Sequence, residues 1–286
     1  MKYIIVGKDE VDGTSTNDYP NPLVITEIAT ELVITRLGLF DFMSRGDVSF
    51  DDTIVTIEDR KCLYTNRFKN VMTWRDFKQT QISVNDEVID MLNNDLFMTL
   101  CQGYKRQPNN PISLPYKPFY KHFDRDSELI TNFERSDLTK YNLSEPFVAL
   151  VIRTRGAWTE KNMTREFWNE LIDKFKQEGV KMVVFGKETE EYCDEDIQYI
   201  ETYQDWCSVV EHTNCKHIIS TMTGGVYPAM IFGNPEIKLT IIDNTLLMDE
   251  HGGDPSFYDD CVNFSKVEFN FINYIPKIEE LYDRVK

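Results

Sequence analysis

The 286 residues exceed one average domain and fit two, each long enough to bury a core. A content of 41% hydrophobic and 13% aromatic residues describes a globular chain, and a net charge of −17 excludes a protein that coats nucleic acid or an anionic membrane through its overall field. No run of about 18 apolar residues offers a bilayer span, and the opening MKYIIVGKDE is too short an apolar run for a secretory signal.

Lys2 to Gly7 reads as a first strand, followed by the polar loop KDEVDGTSTNDYPNP and a helical pattern from Leu23 to Leu39, where Ile25, Ile28, Ala29, Leu32, Val33 and Arg36 recur at helical spacing. Thr53 to Ile57 and Asn70 to Trp74 are the next strands, so the first half is expected to hold a small α/β sheet. Helices are expected over Glu87 to Tyr104 and Leu129 to Tyr141, on either side of an irregular segment rich in proline and aromatics, RQPNNPISLPYKPFYKHF. Pro146 marks the expected boundary, giving domains of residues 1–145 and 146–286.

The second half alternates strands and helices. Phe147 to Ile152 is an unbroken apolar strand, as expected where both faces of a parallel sheet are covered. A helix over Phe167 to Gln177 ends at Gly179, and strands follow at Lys181 to Phe185, Ile197 to Thr202, Ile218 to Ser220 and Leu239 to Asp243. Short helices fall at Trp206 to Glu211 and Val226 to Phe232, and a last helix at Tyr274 to Val285. The pattern predicts a doubly wound parallel sheet, which binds ligands beyond the carboxyl ends of its strands.

Four segments fall at those ends: Arg153 to Lys161, Gly186 with Lys187, Tyr203 to Trp206, and Thr221 to Gly225. They supply cations, a glycine turn, aromatic rings, and a hydroxyl and glycine turn that opens a helix with its unpaired N–H groups. That chemistry suits a nucleotide diphosphate.

The runs VIRTRGAWTEKNMTREFW, KMVVFGKE and STMTGGVYPAMIFGNP resemble the donor-binding domain of GT-B glycosyltransferases, most closely the heptosyltransferase-like group. Met222 stands where that group usually has an aspartate, and Tyr227 or Pro228 near its usual histidine. The resemblance implies two Rossmann-like domains facing across a cleft, with the C-terminal helix crossing back to the first domain. It further implies a nucleotide-sugar donor held by Arg153, Arg155 and Lys161 on the diphosphate and by Thr221, Thr223, Gly224 and Gly225 as a cradle. Gly186 and Lys187 would lie beside the nucleotide, Tyr203 or Trp206 would stack on its base, and Tyr227 would complete the turn. The first domain would carry the acceptor, and Asp12, or else Asp18, in the loop after the first strand would serve as general base. No cofactor and no metal are expected. The alternatives are a non-catalytic protein of the same shape that binds nucleotide-sugars or serves a structural role, and a nucleotide-sugar epimerase.

Other signals point to ordinary structure. Asp194, Glu195 and Asp196 spell a DxD inside a longer acidic run, which reads as a solvated face. Cys207, His212, Cys215 and His217 match no common zinc spacing. All six cysteines are scattered, which suits reduced thiols and a cytoplasmic setting. From Arg60 to Lys78 basic residues interleave with Tyr64, Phe68, Trp74 and Phe77. This reads first as a core stripe with its cations outward, and second as a patch for a DNA acceptor such as a hydroxymethylated base. Alanine is confined to Ala29, Ala149, Ala157 and Ala229, a usage that suits an AT-rich genome, a phage or virus among others.

Overall fold

The computed structural model describes residues 1–8, 39, 42–43, 45–91, 131–154, 159, 162–221, 223–242, 265–272 and 274–286. The chain forms two compact units, Met1–Glu134 and Arg135–Lys286.

In the first unit, β1 (Lys2–Ile5), β2 (Thr53–Thr56), β3 (Asn70–Thr73) and β4 (Glu87–Asp90) form a parallel sheet in the order β3-β2-β1-β4. The chain moves outward from β1 to β3 and returns to place β4 on the other side of β1. The gap between β1 and β4 is therefore a topological switch point. Ile4, Ile54 and Val55 are fully buried, as the expected apolar strands require. Glu87 to Asp90 is a strand where helical spacing was expected: Val88 and Ile89 are β-branched, and Lys2 to Ile5 pairs with all four residues. A short helix, α1 (Trp74–Gln79), follows β3 directly, and the Thr73 hydroxyl accepts from Asp76 N at 3.0 Å to cap it. The expected helix over Leu23 to Leu39 and the proline-rich segment lie outside the described residues, apart from Leu39.

The second unit carries β5 (Phe147–Val151), β6 (Lys181–Phe185), β7 (Ile197–Tyr199), β8 (Cys215–Thr221), β9 (Lys238–Ile242) and β10 (Glu268–Ile272). They run parallel in the order β10-β9-β8-β5-β6-β7, the doubly wound arrangement of dinucleotide-binding folds. Its switch point lies between β5 and β8. The strand at Glu268–Ile272 was not foreseen, because only Ile272 is buried and the alternation EFNFI is that of an edge.

Among the described residues the unit's α-helices are α2 (Arg165–Gln177), α3 (Tyr203–Glu211), α4 (Val226–Phe232) and α5 (Ile278–Val285). Alternation along β5 decides which helix meets which face. Val148, Leu150 and Ile152 pack with Phe167, Trp168, Leu171, Ile172 and Phe175 of α2 and with Leu281 of α5. Val151 points the other way, toward Gly225 at the start of α4. Gly179, at φ +71°, ends α2 as expected, because a left-handed residue there costs glycine little. The last helix is built into the second unit. Leu281 is fully buried against α2, and the Tyr282 hydroxyl donates to Glu178 at 3.0 Å.

The break between units falls after Glu134, ahead of Pro146, because residues 135–141 are tied to α3. Ser136 and Tyr141 donate to the Asp205 carboxylate, Lys140 Nζ lies 2.9 Å from it, and Arg135 forms a two-pronged pair with Glu211. Residues 132–138 have no regular secondary structure where a helix was expected.

Candidate functional site

The carboxyl edge of the second sheet is assembled around its switch point. Val151 of β5 and Ser220 of β8 are register partners, so Arg153, two residues past Val151, and the turn from Thr221 to Gly225 leave the sheet side by side. Arg153 is largely buried, and its guanidinium donates to Asn162 Oδ1. A buried guanidinium needs such an acceptor.

The turn itself is compact. Val226 N donates to Thr223 O at 3.2 Å and Tyr227 N to Gly224 O at 3.3 Å, so α4 begins immediately. Gly225 is required by close approach: a Cβ there would stand 2.7 Å from Val151 Cγ1. Thr223 and Gly224 are partly exposed, whereas Thr221 and Gly225 are buried. Thr221 Oγ1 is enclosed and has no hydrogen-bond partner among the described residues.

Beyond β6, Gly186 has φ +156°, and a Cβ there would fall 2.1 Å from Ile152 O. Its carbonyl accepts from the Thr189 and Tyr199 hydroxyls, each at 2.8 Å. Burial pushes the Tyr199 hydroxyl up to about 12, so it remains a donor at neutral pH. The Lys187 carbonyl accepts from Thr154 Oγ1 at 2.7 Å, which joins the segments after β5 and β6. Its side chain is exposed, with its ammonium 3.6 Å from Glu188.

Arg153, Gly186, Lys187, Thr221, Thr223, Gly224 and Gly225 thus belong to one sheet edge, while Arg155, Lys161, Asp12 and Asp18 lie outside the described residues. The stacking role expected of Trp206 is corrected. Trp206 is fully buried, lies flat on Phe185 with centroids 4.9 Å apart, and donates from Nε1 to Gly225 O at 2.8 Å. It supports the turn from beneath. Tyr203 and Tyr227 are buried as well, at 7% and 6% exposure. Sequence reading missed the supporting groups Thr154, Asn162, Thr189 and Tyr199. Hydroxyls and amides are common in loops, and their partners become visible only once the strand order is known.

The remaining clusters resolve into local structure. His217 Nε2 bonds Thr240 Oγ1 at 2.8 Å, and Cys207 and Cys215 are core residues. Asp194 pairs with Lys176. Tyr64, Phe68 and Phe77 are buried in the first unit, so three of the four aromatics between Arg60 and Lys78 are core, as the first reading of that stripe expects. No helix among the described residues is long and apolar enough to cross a membrane.

No protein-family model matches the sequence, and no curated protein matches it. Solved structures match along the whole chain. E. coli ADP-heptose LPS heptosyltransferase II superposes with a TM-score of 0.52 at 10% identity, covering 100% of this chain and 98% of that one. The fold is that of a GT-B glycosyltransferase. The second structure, E. coli heptosyltransferase WaaC with ADP, gives a TM-score of 0.50 at 12% identity, covering 100% and 99%. At such identities the likeness belongs to the GT-B backbone, and this chain's own residues must carry the chemistry.

Proposed function

We propose that the protein is a glycosyltransferase that moves a sugar from a nucleotide-diphosphate-sugar to a hydroxyl of a glycan. One observation carries this reading: a GT-B fold matched along its entire length, with the glycine and threonine turn at the switch point of the second sheet. The second unit takes the donor. Arg153, with Arg155 and Lys161, neutralises the diphosphate, and Thr221, Thr223, Gly224 and Gly225 form the turn on which it rests. Gly186 and Lys187 border the nucleotide.

The first unit takes the acceptor. The acceptor hydroxyl gives its proton to Asp12, or else Asp18, as its oxygen bonds the anomeric carbon and the nucleoside diphosphate leaves with the electrons of the broken bond. Cations on the diphosphate stabilise that leaving group, so no metal is required.

A panel of ADP-, UDP-, GDP- and CMP-sugars tests this, read by melting temperature and by slow hydrolysis. At least one ADP-, UDP- or GDP-sugar should raise the melting temperature, with the effect intact in EDTA and reduced in Arg153→Ala. Silence across the panel at millimolar concentration defeats the donor assignment. Free nucleotide released in quantity with no acceptor present would favour the epimerase. Asp12→Asn should lower turnover by about 10²-fold or more with donor affinity unchanged, and the same loss in Asp18→Asn alone would move the base there.

A further inference from the structure

The carboxyl ends of β5 and β6 are joined by a last rung that comes from a side chain. Ile152 N donates to Phe185 O at 3.0 Å. In a parallel ladder the next such rung falls two residues further along both strands, at Thr154 and Lys187. There the Lys187 carbonyl accepts from the Thr154 hydroxyl at 2.7 Å, so a side chain takes the place of the backbone donor. Gly186, between the two rungs, lies so close to β5 that a Cβ would stand 2.1 Å from Ile152 O.

That rung carries a strained turn. Glu188 has φ +60°, and among the described residues it is the one residue other than glycine at positive φ. A side chain on a left-handed residue crowds the carbonyl that follows, so the conformation needs support from its surroundings. Burial does not supply it, because the Glu188 side chain is 75% exposed. Three hydroxyls do: Gly186 O accepts from Thr189 and Tyr199, each at 2.8 Å, and Lys187 O accepts from Thr154. Thr189 belongs to the turn itself and Tyr199 to β7. Of the three, Thr154 is therefore the one that ties the strained turn to β5, one residue past Arg153.

We infer that Thr154 is a positioning residue for the donor site: its hydroxyl holds the turn from Gly186 to Thr189 in its left-handed form and fixes that turn beside Arg153. A rung made by one side chain opens and closes without loss of the sheet, so this turn is set by a single hydroxyl. The inference rests on the glycosyltransferase reading for the ligand that the turn meets; the pinning of the turn is independent of it.

The test uses the full chain labelled with 15N, with the amide resonances of Gly186 and Thr189 reporting on the turn and ADP, UDP and GDP as probes. Thr154→Val, and independently Thr154→Ala, remove the donor; each should shift both resonances and weaken the tightest of the three nucleotides about fivefold or more. Thr154→Ser keeps the hydroxyl and should match the natural chain in both readouts. Glu188→Gly placed in the Thr154→Val background should return the Gly186 resonance toward its natural position and recover the affinity to within about twofold, since glycine holds φ +60° without a pin. That recovery separates positioning from a loss of packing at Thr154, which a glycine at 188 would not repair. Unmoved resonances in Thr154→Val and Thr154→Ala, an equal loss in Thr154→Ser, or no recovery with Glu188→Gly overturns the inference. If none of the three nucleotides binds the natural chain, the donor reading fails, and the resonances alone still decide whether Thr154 pins the turn.

Discussion

Trp206 Nε1 donates to the carbonyl of Gly225 at 2.8 Å, across the space between α3 and the start of α4. An indole that the sequence offers as a base-stacking ring is thus a strut that holds the turn at the switch point. It is stacked within 9° of parallel on Phe185, the last residue of β6, so one side chain couples the ends of β6 and β8.

Replacing Trp206 with Phe keeps much of the stack and removes the donor. The Gly225 carbonyl then loses its buried partner, which should cost about 1–3 kcal/mol in urea unfolding. Because the turn loses its strut, the melting-temperature rise given by the best nucleotide-sugar should also shrink. An unchanged unfolding midpoint would show that the bond contributes nothing net.

Gly225→Ala should destabilise by about 1–3 kcal/mol, since the new methyl falls 2.7 Å from Val151 Cγ1 in a packed interior. The cause is specific and can be checked by a double-mutant cycle. Val151→Ala removes the methyl that is struck, so the double variant should lose less than the sum of the two singles, with a coupling of about 0.5 kcal/mol or more. Simple additivity would place the strain elsewhere.

What could be read from the sequence follows from how locally each feature is encoded. The strands from Phe147 to Ile242 and the helix at Val226–Phe232 stand out because buried parallel strands are continuous apolar runs and the helices between them are capped by local residues such as Thr164 and Thr202. Glu87–Asp90 misled because a strand at the border of a sheet carries little apolar signal, and its identity comes from Lys2–Ile5, more than eighty residues away. The chain segments at the carboxyl edge of the second sheet were also legible, since they follow directly from the ends of strands. The burial of Trp206 and Tyr203 was not, because the inward direction of α3 depends on Phe185 and Gly225, which only the tertiary fold brings near.

The Asp205 carboxylate closes the second unit around its first residues. Burial alone would push it up, but hydrogen bonds from Ser136, Lys140, Thr202 and Tyr141 outweigh burial and hold it below the usual carboxylate range. Asp205→Ala leaves the Tyr141 hydroxyl and the Ser136 hydroxyl without their acceptor, and should cost on the order of 3 kcal/mol. Limited proteolysis gives a second readout: cleavage within residues 135–141 should appear in Asp205→Ala well before cleavage elsewhere in the second unit. Tyr141→Phe, which removes one donor and keeps the ring, should show a smaller loss in both measurements.

His217 gives the unit a pH dependence of definite sign. Burial in β8, reinforced by the nearby positive charges of Lys238 and Arg284, lowers its imidazole to about 4 from an ordinary 6.5. Between those values the unfolded chain takes up a proton that the folded chain refuses. The unfolded state therefore binds more protons, and stability rises with pH across the window. The contribution is fully present above about pH 6.5 and is lost as pH falls toward 4, by on the order of 3 kcal/mol in total. Carboxylates held low, among them Asp205 and Asp194, also lose stability in acid, but mainly below the ordinary carboxylate value of 3.8. The two effects are separated by measuring urea unfolding at pH 7 and pH 5 in the natural chain and in His217→Asn, whose side-chain amide can still meet Thr240. The natural chain should weaken over that interval, and the variant should keep most of its stability. Parallel losses in both would assign the acid sensitivity to groups other than His217.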